Sequence, residues 1–241
     1  MDEGFKYVVP DHDPAVIELW LLQLADSALP IGAFAHSFGV ETLVATGLLQ
    51  VSDLEGFLQA WLEEAGATEA VFCRAAWQLA EHKNFRAKEW LQLNDRLGAL
   101  KPARESRKGS CVLGKNFLRA ALAVCKLERL EQAESETRKA SAVVHHACAF
   151  GLVSGAMHFD QDRAVPAYLH QSIVGLISAC QRLMPLGQTR AQQILWDLKA
   201  AIVQTARFSA DFTTEDSCCF LPMLDWGAME HPELFTRLFI S

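Results

Sequence analysis

Residues 52–65 read SDLEGFLQAWLEEA. Leu54, Phe57, Leu58, Trp61, Leu62 and Ala65 recur at intervals of three and four, which places them on one face of a helix; a strand would need them at every second position. Ser52 and Glu55 stand where a capping box has its hydroxyl and its carboxylate.

The same period extends outward in both directions. Upstream, Asp13-Pro14 reads as a cap followed by proline at the first helical position, and a helix over 14–28 runs into the turn made by Pro30 and Gly32. A short helix follows at about 36–47. Downstream, Gly66-Ala67-Thr68 separates the central segment from a helix at 69–82, with another near 85–98. Residues 99–110 are polar and cationic and begin as loop. Further helices are expected near 106–127, 134–157, 164–183 and 189–207, with Pro185-Leu186-Gly187 as the break between the last two. Ala, Leu, Glu, Gln and Arg dominate, and there is neither a tandem repeat nor a low-complexity stretch. The fold class predicted is all-α: one domain, a bundle of about eight to ten helices over 14–207, preceded by an arm at 1–13. The tail at 208–241 has little helical period but carries Phe208, Phe212, Phe220, Met223, Trp226, Phe235 and Phe239. A tail this apolar must pack, either on its own domain or on a partner, because apolar surface left wet costs about 25 cal/mol per Å2.

A chain of 241 residues, 51% hydrophobic and 21% charged, supports one full core and is not a disordered composition. A net charge of −7 disfavours nucleic acid and anionic membrane as partners. No apolar run is long enough to span a bilayer, and the first residues lack the plan of a secretory signal, so a cytoplasmic protein is expected. The seven cysteines are odd in number and include no C-x-x-C pair, which argues against a disulfide framework or a zinc ribbon.

Several motifs invite chemistry. Gly109–Asn116 (GSCVLGKN) resembles a phosphate-binding loop, but Asn116 replaces the magnesium-binding hydroxyl and no strand feeds it. Ala35-His36-Ser37-Phe38-Gly39 resembles a nucleophile elbow, whose strand-to-helix corner an all-helical chain does not offer; a helical serine hydrolase using Ser37 is the alternative from the enzyme class. The adjacent His145 and His146 point about 100° apart on a helix. The vicinal Cys218 and Cys219 are soft ligands, with His231 as a third candidate, and a direct nickel carrier is the remaining alternative. Arg104, Arg107, Lys108 and Lys115 form a basic cluster that is either a solvated loop or a contact for an acidic partner.

Taken in order, five blocks resemble the UreF family of urease accessory proteins. They are Leu24-Ala25-Asp26-Ser27-Ala28-Leu29-Pro30-Ile31-Gly32-Ala33-Phe34 with His36–Glu41 (HSFGVE); Arg104–Arg107 (RESR) followed by Gly114; His146–Gly151 (HACAFG); Gln181-Arg182 with Pro185–Gln188 (PLGQ); and His231 with Arg237-Leu238-Phe239 and Ser241. The chain departs from the family pattern at Ala33, where glycine is frequent, and at Pro232, Phe235 and Ile240.

The resemblance implies a cytoplasmic, all-α, dimeric protein that is not an enzyme and holds no cofactor of its own. It implies a scaffold bridging UreD (UreH in some species) and the GTPase UreG, so that the assembly delivers nickel to apo-urease. The residues expected to meet partners are Phe34, His36, Arg104, Arg107, Arg182, His231, Arg237, Leu238 and Phe239. Among them Arg182 is expected to pair with a carboxylate or cap carbonyls at a helix junction. Arg237, flanked by apolar residues, is the best candidate for a partner salt bridge.

Overall fold

A computed structural model describes residues 13–241, and every regular element among them is helical. Twelve α-helices follow in order: α1 (Pro14–Leu24), α2 (Val40–Ala45), α3 (Leu54–Trp61), α4 (Ala67–Glu81), α5 (Ala87–Ala99), α6 (Arg104–Val124), α7 (Glu128–Lys139), α8 (His146–Ala156), α9 (Gln161–Leu183), α10 (Gln188–Asp197), α11 (Lys199–Phe208) and α12 (Pro222–Glu230). α3 runs into α4 through a π turn at Leu62–Gly66, and α10 meets α11 at Leu198, so these helices make ten rods. The expected arm lies outside the described residues except for Asp13, whose carboxylate caps α1 by accepting the Ala15 amide at 2.8 Å.

α8 is the axis of the bundle. Every residue from His146 to Gly155 is buried, and α4, α6 and α9 surround it. The closest approach is to α4. A Cβ built on Gly151 would lie 2.0 Å from the carbonyl oxygen of Cys73, and one on Gly155 would lie 2.5 Å from that of Trp77. Glycine at both positions lets two helix backbones touch. On the opposite side Phe117 of α6, His146 and Phe150 of α8 and Tyr168 of α9 form a four-ring cluster with centroids 5.2–5.5 Å apart. Arg74 of α4 is buried and fully employed. It donates to Gln161 Oε1 at 2.7 Å, to Asp162 at 3.2 Å and to the Ala206 carbonyl at 3.0 Å, tying α4 to α9 and α11.

Several boundaries differ from those read in the sequence. Gly66-Ala67-Thr68 does not break the chain: the π turn takes up an extra residue and the helix continues, with Trp61 packed against the bare face of Gly66. The capping box at Ser52 is not made. Ser52 donates to Asp53 instead, and Asp53 accepts the Gln50 amide at 3.1 Å. The helix expected over 134–157 is two helices, because Ser141 adopts a φ of 51° after α7 and turns the chain before α8. The first helix stops at Leu24, not at 28. α6 starts at Arg104, so all four residues of the basic cluster are helical and none is loop. The tail contains α12, whose apolar residues serve two surfaces and so lack a single stripe.

The glycine contact gives a paired expectation. Gly151→Val forces α4 and α8 apart and is expected to cost at least about 3 kcal/mol. Gly175→Ala in α9, where nothing lies within 4 Å of an added Cβ, is expected to gain about 0.5–1 kcal/mol. Urea unfolding followed by circular dichroism measures both.

Candidate functional site

The tail returns to its own bundle and is held at α2 by one side chain. Glu41 is the one charged residue of α2 and is buried. Its Oε1 accepts the Leu238 amide at 2.6 Å, and its Oε2 accepts the Phe239 amide at 3.1 Å. The same Oε2 lies 2.8 Å from Nε2 of His231, while Nδ1 of that ring lies 2.7 Å from Oε2 of Glu105 at the start of α6. His231 is fully buried, and each of its ring nitrogens lies within hydrogen-bond distance of a carboxylate oxygen. The end of the tail then pairs with the loop before α2. The Ile240 amide donates to the Ala35 carbonyl at 2.8 Å, the Ser241 carbonyl accepts the amides of Ser37 and Phe38, and Nδ1 of His36 lies 2.6 Å from the Ser241 hydroxyl.

Glycine allows the seating. Gly39 has a φ of 96°, and a Cβ there would meet the Leu224 carbonyl at 2.6 Å. A Cβ on Gly227 would in turn meet the Gly39 carbonyl at 2.7 Å. α12 therefore crosses the start of α2 backbone to backbone. Ala33 does not share this demand: the positive φ falls on Gly32, so the methyl group at the family's second glycine is accommodated.

Residues 238–241 alternate as an extended segment must. Phe239 and Ser241 point inward; Leu238 and Ile240 point out. Arg182 covers Phe239 with its guanidinium 4.2 Å above the ring and donates to the Phe34 carbonyl. Phe220, Met223, Trp226, Met229 and Phe235 of the tail are exposed as well, and so is the side chain of Phe34. A surface with this many bare large side chains is the kind that marks an interaction site.

Beneath the tail lies a cavity of about 130 Å3 lined by Phe38, Trp61, Glu69, Lys101, His146 and Leu224, among others. Lys101 pairs with Glu69, whose second oxygen accepts the Tyr168 hydroxyl at 2.6 Å. Burial works to raise the Glu69 carboxyl, but the Lys101 ammonium and the two hydrogen bonds bring it below its ordinary value. Burial depresses both His145 and His146 to about 4, with Lys101 adding repulsion. His36 is depressed too, chiefly by burial, with Glu105 working the other way.

The residues singled out in the sequence divide. Phe34, His36, Arg182, His231, Leu238 and Phe239 come together at the seated tail. Arg104 is exposed at the first position of α6. Arg107 turns to the carbonyls of Lys101 and Pro102. Arg237 is exposed and makes no ion pair among the described residues. Sequence reasoning gave no role to Glu41, Glu105 or Gly227. The signal for Glu41 is present, since a carboxylate between Val40 and Leu43 on an apolar helix needs a buried partner. The hydrolase geometry is not assembled: Ser37 is buried with its hydroxyl 3.4 Å from the Glu41 amide, and His36 faces Ser241. Residues 109–116 lie wholly within α6, which leaves no phosphate-cradling loop there. Among the described residues no three His, Cys, Asp or Glu side chains converge on a point that could hold a metal ion.

Fold and site together define an all-helical protein whose C-terminal segment is pinned from within and turns an apolar face outward. A family model described as UreF matches residues 49–199. The chain is 30% identical over 223 residues to urease accessory protein UreF of Lachnoclostridium phytofermentans, covering 92% of this chain and 97% of that one. It is 33% identical to UreF of Actinobacillus pleuropneumoniae, over 92% and 97% of the two chains, and 33% identical to UreF of Haemophilus influenzae, over 92% and 94%. The chain belongs to the UreF family of urease accessory proteins.

Two outcomes follow from the buried groups. Glu41→Gln removes the charge that both tail amides and His231 meet, and is expected to cut the hydrogen-exchange protection of the Leu238 and Phe239 amides at least about tenfold while helix content stays unchanged. Unaltered protection would mean that the carboxylate is not the pin. His145 and His146 are neutral when folded and titrate near 6.5 when unfolded, so the unfolded chain takes up protons first as pH falls. Their share of stability is intact above about pH 6.5 and is lost progressively down to about pH 4, by a few kcal/mol in all. Urea midpoints recorded between pH 8 and pH 4 test this, and His146→Phe should flatten part of the slope.

Proposed function

We propose that this protein is a non-catalytic cytoplasmic scaffold in urease maturation, bridging UreD (UreH) and the GTPase UreG, as a homodimer, so that the assembly passes nickel to apo-urease. Nickel on this reading is cargo of the complex and not a ligand held by this chain. The observation that carries the proposal is the outward face of the seated tail. Met223, Trp226, Met229, Phe235, Leu238 and Ile240 are bare, while Glu41 holds the Leu238 and Phe239 amides and the His231 ring, and Gly39 and Gly227 bring α12 against α2. A pre-ordered apolar surface loses little entropy on docking, which favours a stable partner contact. Membership of a family of urease accessory proteins supplies the context in which such a partner is another maturation factor. Arg237, exposed and next to Leu238 in the chain, is the cation assigned to select that partner.

Co-elution with purified UreD and UreG tests the reading. Trp226→Glu is expected to weaken capture of UreD at least about thirtyfold, and Arg237→Ala about tenfold, each with an unchanged circular dichroism spectrum. Full complex yield from both variants would remove the tail from the docking surface. Stoichiometric nickel retained by the isolated wild-type chain after gel filtration would favour a carrier instead.

A further inference from the structure

A groove of about 500 Å3 runs between α6 and the connection from α7 to α8. Lys108, Val112, Lys115 and Arg119 follow one another at three- and four-residue spacing, so they form one stripe of α6 along its wall. Arg138 comes from the last turn of α7, and Val143 from the following loop. The four cations make no ion pair among the described residues, and Glu134 is the single acid in the lining. A chain of net charge −7 therefore concentrates positive charge in one concave place. The basic cluster read in the sequence splits accordingly: Arg107 is spent on backbone carbonyls, whereas Lys108 and Lys115 join Arg119 and Arg138 in the groove.

We propose that this groove docks an acidic segment of a partner protein, its carboxylates on the four cations and an aliphatic side chain against Val112 and Val143. Charge complementarity selects an anionic occupant, since successive like charges along the stripe, such as Lys115 and Arg119, lie within about a Debye length and repel until one arrives. The lining selects peptide over nucleic acid. Among the described residues no aromatic ring lines the groove for a base to stack on, the exposed Val112 and Val143 offer aliphatic contact, and the net negative charge of the chain repels a long polyanion. Spacing agrees too. Alternate residues of an extended segment lie about 7 Å apart, and Lys115 and Arg119 are separated by about 6 Å of helix rise. This surface does not depend on the seated tail, which meets α6 through Glu105 and Gly109.

The full chain is titrated with a fluorescein-labelled hexapeptide of alternating glutamate and valine, followed by anisotropy. Saturable binding is expected, weakened severalfold between about 0.05 and 0.2 M salt and at least about tenfold by the charge reversal K115E/R119E. The neutral pair K115Q/R119Q, checked for fold by circular dichroism, is expected to fall between, and W226E to bind as wild type does. Absence of saturable binding, an affinity indifferent to both double variants, or tighter binding of a dT hexanucleotide would each overturn the proposal.

Discussion

A carboxylate removed from water costs several kcal/mol unless the protein returns its hydrogen bonds and its countercharge. Glu41 receives its hydrogen-bonding partners from one segment of chain: two backbone amides from residues 238 and 239, and the ring of His231, which Glu105 holds from the other side. The position of α12, the course of the last residues and the side they show to solvent all follow from satisfying that one group. Were the tail to leave, Glu41 would be stranded on an apolar helix and His231 would lose both of its partners at once. The arrangement thus links a local electrostatic requirement to the orientation of a surface some distance along the chain.

The bundle and the tail solve different problems with the same residue type. Between α4 and α8, glycine lets two long helices approach until backbone meets backbone, and the contact is entirely internal. Between α2 and α12, Gly39 and Gly227 do the same for a short element that keeps one side exposed. Close approach fixes orientation more tightly than side-chain packing alone, because backbone cannot change rotamer. The outward aromatic and methionine side chains of α12 are therefore presented from a rigid base.

The helical period of 52–65 made the fold class legible, and the caps and prolines located most helices to within a few residues. What the sequence did not show was how helices end without punctuation. The turn at Ser141 uses a left-handed residue that is not glycine, and the junction at Leu198 keeps helical dihedrals throughout, so neither leaves a mark in composition. Among site residues, those in recognisable blocks, such as His36, Arg182 and His231, could be named, but their roles could not. A contact between Glu41 and His231 spans 190 positions, and periodicity carries no information at that range. Arg107 shows the reverse difficulty: a cation in a basic run looks free until the carbonyls beside it are seen.

The π turn at Leu62–Gly66 has a consequence of its own. An ordinary helix advances each side chain by about 100°, and a wider turn inserts one extra position into that count. Leu54, Leu58 and Trp61 before it and Ala70, Phe72 and Cys73 after it can thus all be buried against different neighbours along one unbroken rod. Dropping a single residue from this stretch would restore regular winding and at the same time rotate the whole upstream face away from its neighbours. The number of residues there is constrained as firmly as their identity, in a segment whose glutamates and alanine give no outward sign of it.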